Sequence, residues 1–362
     1  MKNTFGNNVS VTLFGESHGA AVGAVIDGLP AGVNVDESFI SHQLDLRRPI
    51  GKISTPRHEA DKFSIVSGVF NGKTTGTPIC VLIPNENTKS GDYSKKYGKA
   101  RPGHADYTAY VKYNGCEDYR GGGHFSGRIT AGLVAAGAIA VDLLKNKGIY
   151  IGTHIKKCAG VNDEPFTDYK KDTELLSVAQ FPVLGEAAKN EMISAIEKAA
   201  EEGDSVGGVL ETAVTGVPVG VGEPWFDSVE SVIAHALFSI PAIKGVEFGA
   251  GFGCADMRGS QMNDEFKLEN GAITTKTNNN GGINGGIANG MPIIFSCAVK
   301  PTPSISKTQN TVDFISGEEV SLSVSGRHDP CIVHRARVVV DSIAAITLCD
   351  LLSQKFGTDW LV

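Results

Sequence analysis

The sequence predicts an α+β protein, on three observations. Apolar runs with strand character recur along the chain, but they lack the regular spacing of β-α-β units, which argues against a doubly wound parallel sheet. One segment, ITAGLVAAGAIAVDLLKNK at 129–147, is apolar on almost every side and stops at Gly148, the pattern of a helix buried within a layer. Gly is abundant, at 44 residues, which points to tight turns and close backbone approaches.

In chain order, 9–14 reads as a strand entering a Gly-rich turn at 15–19, with 22–26 as its hairpin partner. The segment 36–46 reads as a helix capped by Asp36, with Phe39, Ile40 and Leu44 on its apolar face and Pro49 ending it. A polar loop follows at 47–61, strands at 63–69 and 77–83, and a second polar stretch at 84–102. Beyond the apolar helix come an amphipathic helix at 187–202 stopped by Gly203, a strand at 208–217 and a helix at 228–238. Strands are expected at 245–252, 292–299 and 320–325, and a last helix at 338–352. There is no internal repeat and no linker, so 1–362 reads as a single domain.

Composition narrows the function classes. Net charge is −7 without a block of like charges, which disfavours a nucleic-acid surface. Seven dispersed cysteines without a C-x-x-C pair suggest neither a disulfide framework nor a metal site, and fit reduced thiols in a cytoplasm. No signal peptide is visible, and no run approaches 18 uninterrupted apolar residues, so no membrane span is expected.

Arginine placement is more specific. Of 33 basic residues only ten are Arg, and nine of these fall in three short regions: Arg47, Arg48 and Arg57; Arg101, Arg120 and Arg128; Arg327, Arg335 and Arg337. Guanidinium forks suit phosphate and carboxylate, so concentrated Arg beside Gly- and His-rich loops points to a multiply anionic ligand.

Two decoys can be set aside. The segment Gly68-Val-Phe-Asn-Gly72-Lys73-Thr74 has three residues between its glycines where a P-loop needs four. The glycines at 249, 251 and 253 miss the dinucleotide-binding spacing.

Four motifs remain. In Phe14-Gly15-Glu16-Ser17-His18-Gly19, His18 is either an ordinary loop residue or a proton donor, and no G-x-S-x-G elbow supports Ser17 as a nucleophile. In Arg101-Pro102-Gly103-His104-Ala105-Asp106 and Asp118-Tyr119-Arg120-Gly121-Gly122-Gly123-His124-Phe125-Ser126-Gly127-Arg128, three glycines and Ser126 just before a buried helix suit an anion site or a plain tight turn. His104 is a second candidate acid, and His124 a contact residue. The Asn/Gly-rich run 278–286 and Lys300-Pro301-Thr302-Pro303-Ser304 would let backbone approach a flat ligand closely, or are loops without one. In Gly326-Arg327-His328-Asp329-Pro330, Asp329 is a cap or a base held ionised by Arg327.

Together these motifs resemble the chorismate synthase family. GESHG at 15–19, RRP at 47–49, RPGHAD at 101–106, DYRGGG at 118–123, GSQ at 259–261, KPT at 300–302 and GRHDP at 326–330 match its pattern in order, from about Asn3 to about Phe356. The resemblance implies a helical layer sandwiched between antiparallel β-sheets and a homotetramer. It implies an anti-1,4-elimination of phosphate and the C6 hydrogen from 5-enolpyruvylshikimate 3-phosphate, giving chorismate for aromatic amino acid biosynthesis. Reduced FMN is needed, without net redox change.

By the same resemblance, His18 assists protonation near the substrate phosphate, His104 protonates the reduced flavin, and Asp329 assists proton removal near flavin N5, with Ser17 and Ser126 hydrogen-bonding nearby. Arg47, Arg48, Arg128 and Arg327 would bind the anionic substrate, Arg327 also lying near the flavin. His124, Phe125, Ser126, Pro241, Ala242, Gly286, Lys300, Pro301, Thr302, Pro303 and Ser304 match flavin-contact segments. Many members have Arg and Ser where this chain has His124 and Phe125, so the resemblance implies a positive charge there that is weaker or pH-dependent, and Pro241 stands where many have Asn. NADP enters only as the electron source of bifunctional members. Without a dinucleotide fingerprint or an appended reductase domain, this chain is expected to take its flavin reduced by a separate flavin reductase.

Overall fold

The computed structural model describes residues 2–49, 51–55, 60–86, 97–323 and 329–362. Two five-stranded antiparallel sheets enclose a helical layer. In the first sheet the strands run in the order Thr4–Phe5, Ser10–Gly15, Ala21–Asp27, Ile79–Pro84, Ser64–Ser67. In the second the order is Ile243–Phe248, Ile293–Val299, Gly208–Thr215, Tyr150–Cys158, Val161–Asn162. The helix Thr130–Asn146 packs on the first sheet and against the helix Val333–Phe356, which packs on the second. One continuous apolar cluster fills both interfaces.

Glycine makes the tight stacking possible at two points on one helix. A Cβ on Gly132 would lie 2.6 Å from the backbone of Gly23 in the first sheet, and one on Gly137 would lie 2.3 Å from Ser342 Cβ of the facing helix. Any larger residue would force the layers apart. By length and composition Gly127–Asn146 could cross a membrane, but 83% of its apolar window is buried inside the fold. Here that apolar surface is covered by protein.

Several elements follow the sequence reading. Asp36 accepts from the N–H groups of Ser38 and Phe39 and caps the helix Glu37–Leu46, and Ser228 caps Val229–Phe238. The amphipathic helix is Glu186–Glu201. Other boundaries differ. The strand expected at 245–252 ends at Phe248, because Gly249 and Gly251 take positive φ. The run 63–69 yields only Ser64–Ser67 before a break at Gly68, and 320–325 shifts to Glu318–Leu322. The last helix is longer than 338–352, spanning Val333–Phe356, because buried polar side chains interrupt its apolar pattern. Strand Tyr150–Cys158 and helices Asp106–Lys112 and Tyr169–Val178 escaped the sequence reading.

One of those buried polar groups ties the chain's two halves together. The Asp350 carboxylate accepts from the backbone N–H groups of Asn7, Asn8 and Val9 at 3.0, 2.7 and 3.0 Å. The seven cysteines are free thiols.

Candidate active site

The turn after strand Ser10–Gly15 presents Ser17 and His18, both buried. Ser17 N–H donates to Gly123 O at 3.1 Å, and its hydroxyl lies 3.1 and 3.2 Å from the carbonyls of Arg120 and Gly121. Carbonyls only accept, so Ser17 spends its proton there and receives one from His18 Nδ1, 3.2 Å away. The glycine run is folded onto this pair. Gly121, Gly122 and Gly123 have φ of 60, 85 and 53°, a region that favours glycine. A Cβ on Gly121 would lie 2.2 Å from His18 Cε1, and the nearest atoms to one on Gly122 would be His104 Cε1 at 3.5 Å and Ser126 Cβ at 3.9 Å. Successive glycines therefore floor the space beside the two histidines.

His104 sits in a cationic corner. Arg101 makes a two-pronged ion pair with Asp106 at 2.8 and 2.7 Å. Lys300 Nζ donates to Gly103 O at 2.6 Å, and a Cβ on Gly103 would lie 3.1 Å from Pro303. Burial, then the Arg101 charge, push the imidazole down to about 4, with Lys300 adding to the shift and Asp106 opposing it. Beside Lys300, the Thr302 hydroxyl is buried and without a hydrogen-bond partner among the described residues. Lys300 N–H donates to Ala242 O at 2.9 Å, which draws Pro241 and Ala242 to the same loop. Pro301 packs instead toward Gly207, and no described contact joins Ser304 to the histidines.

A chain of guanidiniums runs away from Ser126. The Ser126 hydroxyl accepts from Arg128 N–H at 3.3 Å and caps the turn Gly127–Ile129 that opens into the buried helix. Arg128 pairs with Asp61 Oδ1, and Arg47 with Asp61 Oδ2 at 3.1 Å. Arg47 also donates to Thr130 Oγ1 and Gly127 O, both at 3.0 Å. Arg335 donates to Arg47 O and to Asp329 Oδ2, both at 2.8 Å, and Asp329 Oδ1 accepts from Thr55 N–H at 2.8 Å. Thus His18, Ser17, His104 and Ser126 meet around one glycine run, and Asp329 joins through the arginines.

Some expectations change. Among the described residues the cation on Asp329 is Arg335; Arg327, whose pairing with Asp329 the sequence suggests, lies with Arg57 outside them. Arg48 pairs with Asp45 at 2.7 Å, donates to Ala60 O and stays half-exposed. Gly286 is packed on Glu223 and Ser228, with no described contact to the cluster. His124 must carry its proton on Nδ1, because that atom lies 2.8 Å from Gly15 O. Phe125 leans edge-on to Tyr113 at the surface. Asp61 and Asn85, which bind the site's arginines, were missed because each sits in a polar loop without a motif around it.

Comparison with known proteins agrees with the motif order. The family model described as chorismate synthase matches residues 9–353. Chorismate synthase of Dehalococcoides mccartyi is 49% identical over 97% of this chain and 96% of its own length. That of Thermococcus kodakarensis is 46% identical over 99% of both. A crystal structure of chorismate synthase superposes with a TM-score of 0.77 at 31% identity, covering 97% of this chain and 94% of the other.

Proposed function

This chain belongs to the chorismate synthase family, and on that premise we propose that the Gly121–Gly123 floor and its flanking arginines hold 5-enolpyruvylshikimate 3-phosphate against reduced FMN and eliminate phosphate to give chorismate. The observation that carries this reading is the meeting of five separate sequence motifs: Gly121 against His18, Gly122 against His104 and Ser126, and Arg128 linked through Asp61, Arg47 and Arg335 to Asp329.

The residues fit a flat anionic cofactor. Glycines without side chains run from beside His18 to beside His104, and the buried Thr302 hydroxyl lacks a partner among the described residues. Lys300, Thr302, Pro303, Ser126 and His104 would hold the flavin, with His124, Phe125, Pro241, Ala242, Gly286, Pro301, Ser304 and Arg327 as further contacts carried by the resemblance. When bound, reduced FMN supplies electron density that helps phosphate depart and is recovered without net redox change.

The protein's own groups supply grip and protons. Arg47, Arg128, Arg48 and Arg327 neutralise the substrate's phosphate and carboxylates. His18 delivers a proton from Nε2 toward the phosphate, because Nδ1 is committed to Ser17. His104, lowered to about 4 by burial and Arg101, is neutral near pH 7 without ligand, and an arriving anion raises its proton affinity. Asp329, oriented by Arg335 and Thr55, accepts the proton that leaves the ring.

The wider reading is a single-domain cytoplasmic homotetramer that takes flavin reduced by a separate enzyme and binds neither nucleic acid nor membrane. Nearly fully exposed Trp225, Phe226 and Phe252 support self-association.

The test is anaerobic. Dithionite-reduced FMN and the enolpyruvyl substrate are added under nitrogen, and phosphate release and chorismate are followed together. Release that depends on reduced flavin supports the lyase. Flavin binding without release would leave only a binding module, and flavin-independent release without a second ring double bond would make it a phosphatase.

A further inference from the structure

Strand Ile79–Pro84 ends between the two halves of the site, and the residue after it touches both. Asn85 Nδ2 donates to Glu16 O at 2.9 Å and to Gly19 O at 3.0 Å, the carbonyls that flank Ser17 and His18. Its Oδ1 accepts from Arg128 Nε at 3.0 Å, and its backbone N–H donates to Ala20 O at 3.1 Å. A guanidinium only donates and a carbonyl only accepts, so these partners fix which end of the amide faces which. A carboxamide of this length satisfies both sides. A carboxylate would keep Arg128 and repel the two carbonyls, and a methyl group would hold neither.

We propose that Asn85 is a positioning residue, which sets the spacing between the proton-delivering imidazole of His18 and the anion-gripping guanidinium of Arg128. It deepens the proposed function and rests on the roles given there to His18 and Arg128. Rotation of either partner is transmitted to the other through one planar group, and beyond Arg128 to Arg47 through Asp61.

The experiment is a mutant cycle on the full chain with reduced FMN and the enolpyruvyl substrate. Asn85→Ala should lower kcat/KM about 30-fold while its thermal midpoint stays within a few degrees of the parent. Asn85→Asp, equal in shape, should lose at least as much, because it cannot donate to Glu16 and Gly19. In a His18→Asn background the Asn85→Ala loss should shrink below threefold. Either single variant within threefold of the parent, or a loss undiminished in the His18→Asn background, overturns the proposal. If Asn85→Ala does not fold, Asn85→Asp carries the same cycle. A His18→Asn protein with parental activity would instead refute the role of His18, which separates the two failures.

Discussion

Two regions of the molecule hold their ionic groups in opposite ways. On the second sheet His154 is held between Asp163 at 2.7 Å and Glu211 at 3.1 Å, and Glu211 also accepts from Lys156 at 2.6 Å. Asp163 further accepts from the N–H groups of Leu184 and Gly185. Each charge there has an opposite partner, and the network closes on itself. In the candidate site, Arg47 and Arg128 share Asp61, and His104 lies among Arg101, Lys300 and Asp106. That region leans toward positive charge. The two histidines record the contrast. Burial alone would lower His154, but its carboxylate partners raise it, whereas burial and cations together lower His104 to about 4. The first network is closed by its own carboxylates, whereas the second is the one that, on the proposed function, would receive an anion.

The largest test of this contrast is on turnover. His18→Ala or Asp329→Ala should keep flavin binding, read by titration, and lose at least about a hundredfold in phosphate release. Parental rates in both would remove the functional meaning of the candidate site. Next is Gly121→Ala, whose methyl would lie 2.2 Å from His18 Cε1 at a φ of +60°. Turnover should fall about tenfold, with roughly 1–3 kcal/mol lost in stability. Gly160, in the hairpin of the second sheet, has φ +87° and nothing within 4 Å of a new Cβ. Gly160→Ala should cost about 1 kcal/mol and leave turnover unchanged; equal kinetic losses in both would erase the distinction.

His154→Ala comes third and should act on stability alone, by roughly 3 kcal/mol in denaturant unfolding near neutral pH, with kcat intact. The smallest effects are in pH. Raised on folding, His154 contributes stability fully present below its unfolded value of 6.5 and lost as pH rises through its folded value. Burial alone would raise Glu211, but His154 and Lys156 bring it from 4.5 to about 2, so its contribution is present above 4.5 and fades as pH falls toward 2. His104 runs the other way. The unfolded chain binds its proton first, so it costs stability as pH falls from 6.5 to about 4. NMR titration of the ring should place it near 4 in the free protein and higher with bound anion. Parallel titration of the two histidines would contradict the comparison.

What the sequence made legible was local. The Asp36 cap, the hairpin through Ser10–Gly15 and Ala21–Asp27, and the apolar helix carry their signals within a few residues. Strand Tyr150–Cys158 was hidden because it carries His154, Lys156 and Lys157, whose burial or pairing depends on distant partners. The start of Val333–Phe356 was hidden for the same reason, since Arg337 looks like a surface residue until it is seen to pair with buried Asp341 at 3.2 Å. Within the site the motif residues were visible one by one. Their joints Asp61 and Asn85 were not, because a carboxylate and an amide in loops have no periodicity to announce them, and Arg335 stood out only as one of a cluster of arginines, not as the partner of Asp329.

The clasp of Asp350 on Asn7, Asn8 and Val9 also bears on how the molecule is made. A ribosome releases residues 7–9 long before residue 350 exists, and closing so large a loop carries an entropic penalty that slows assembly. Until residue 350 emerges, the N–H groups of residues 7–9 lack this acceptor, although Ser10–Gly15 can already pair with Ala21–Asp27. A chain stalled before position 350 would leave that early edge uncapped, and chaperone demand should be greatest for those unfinished products.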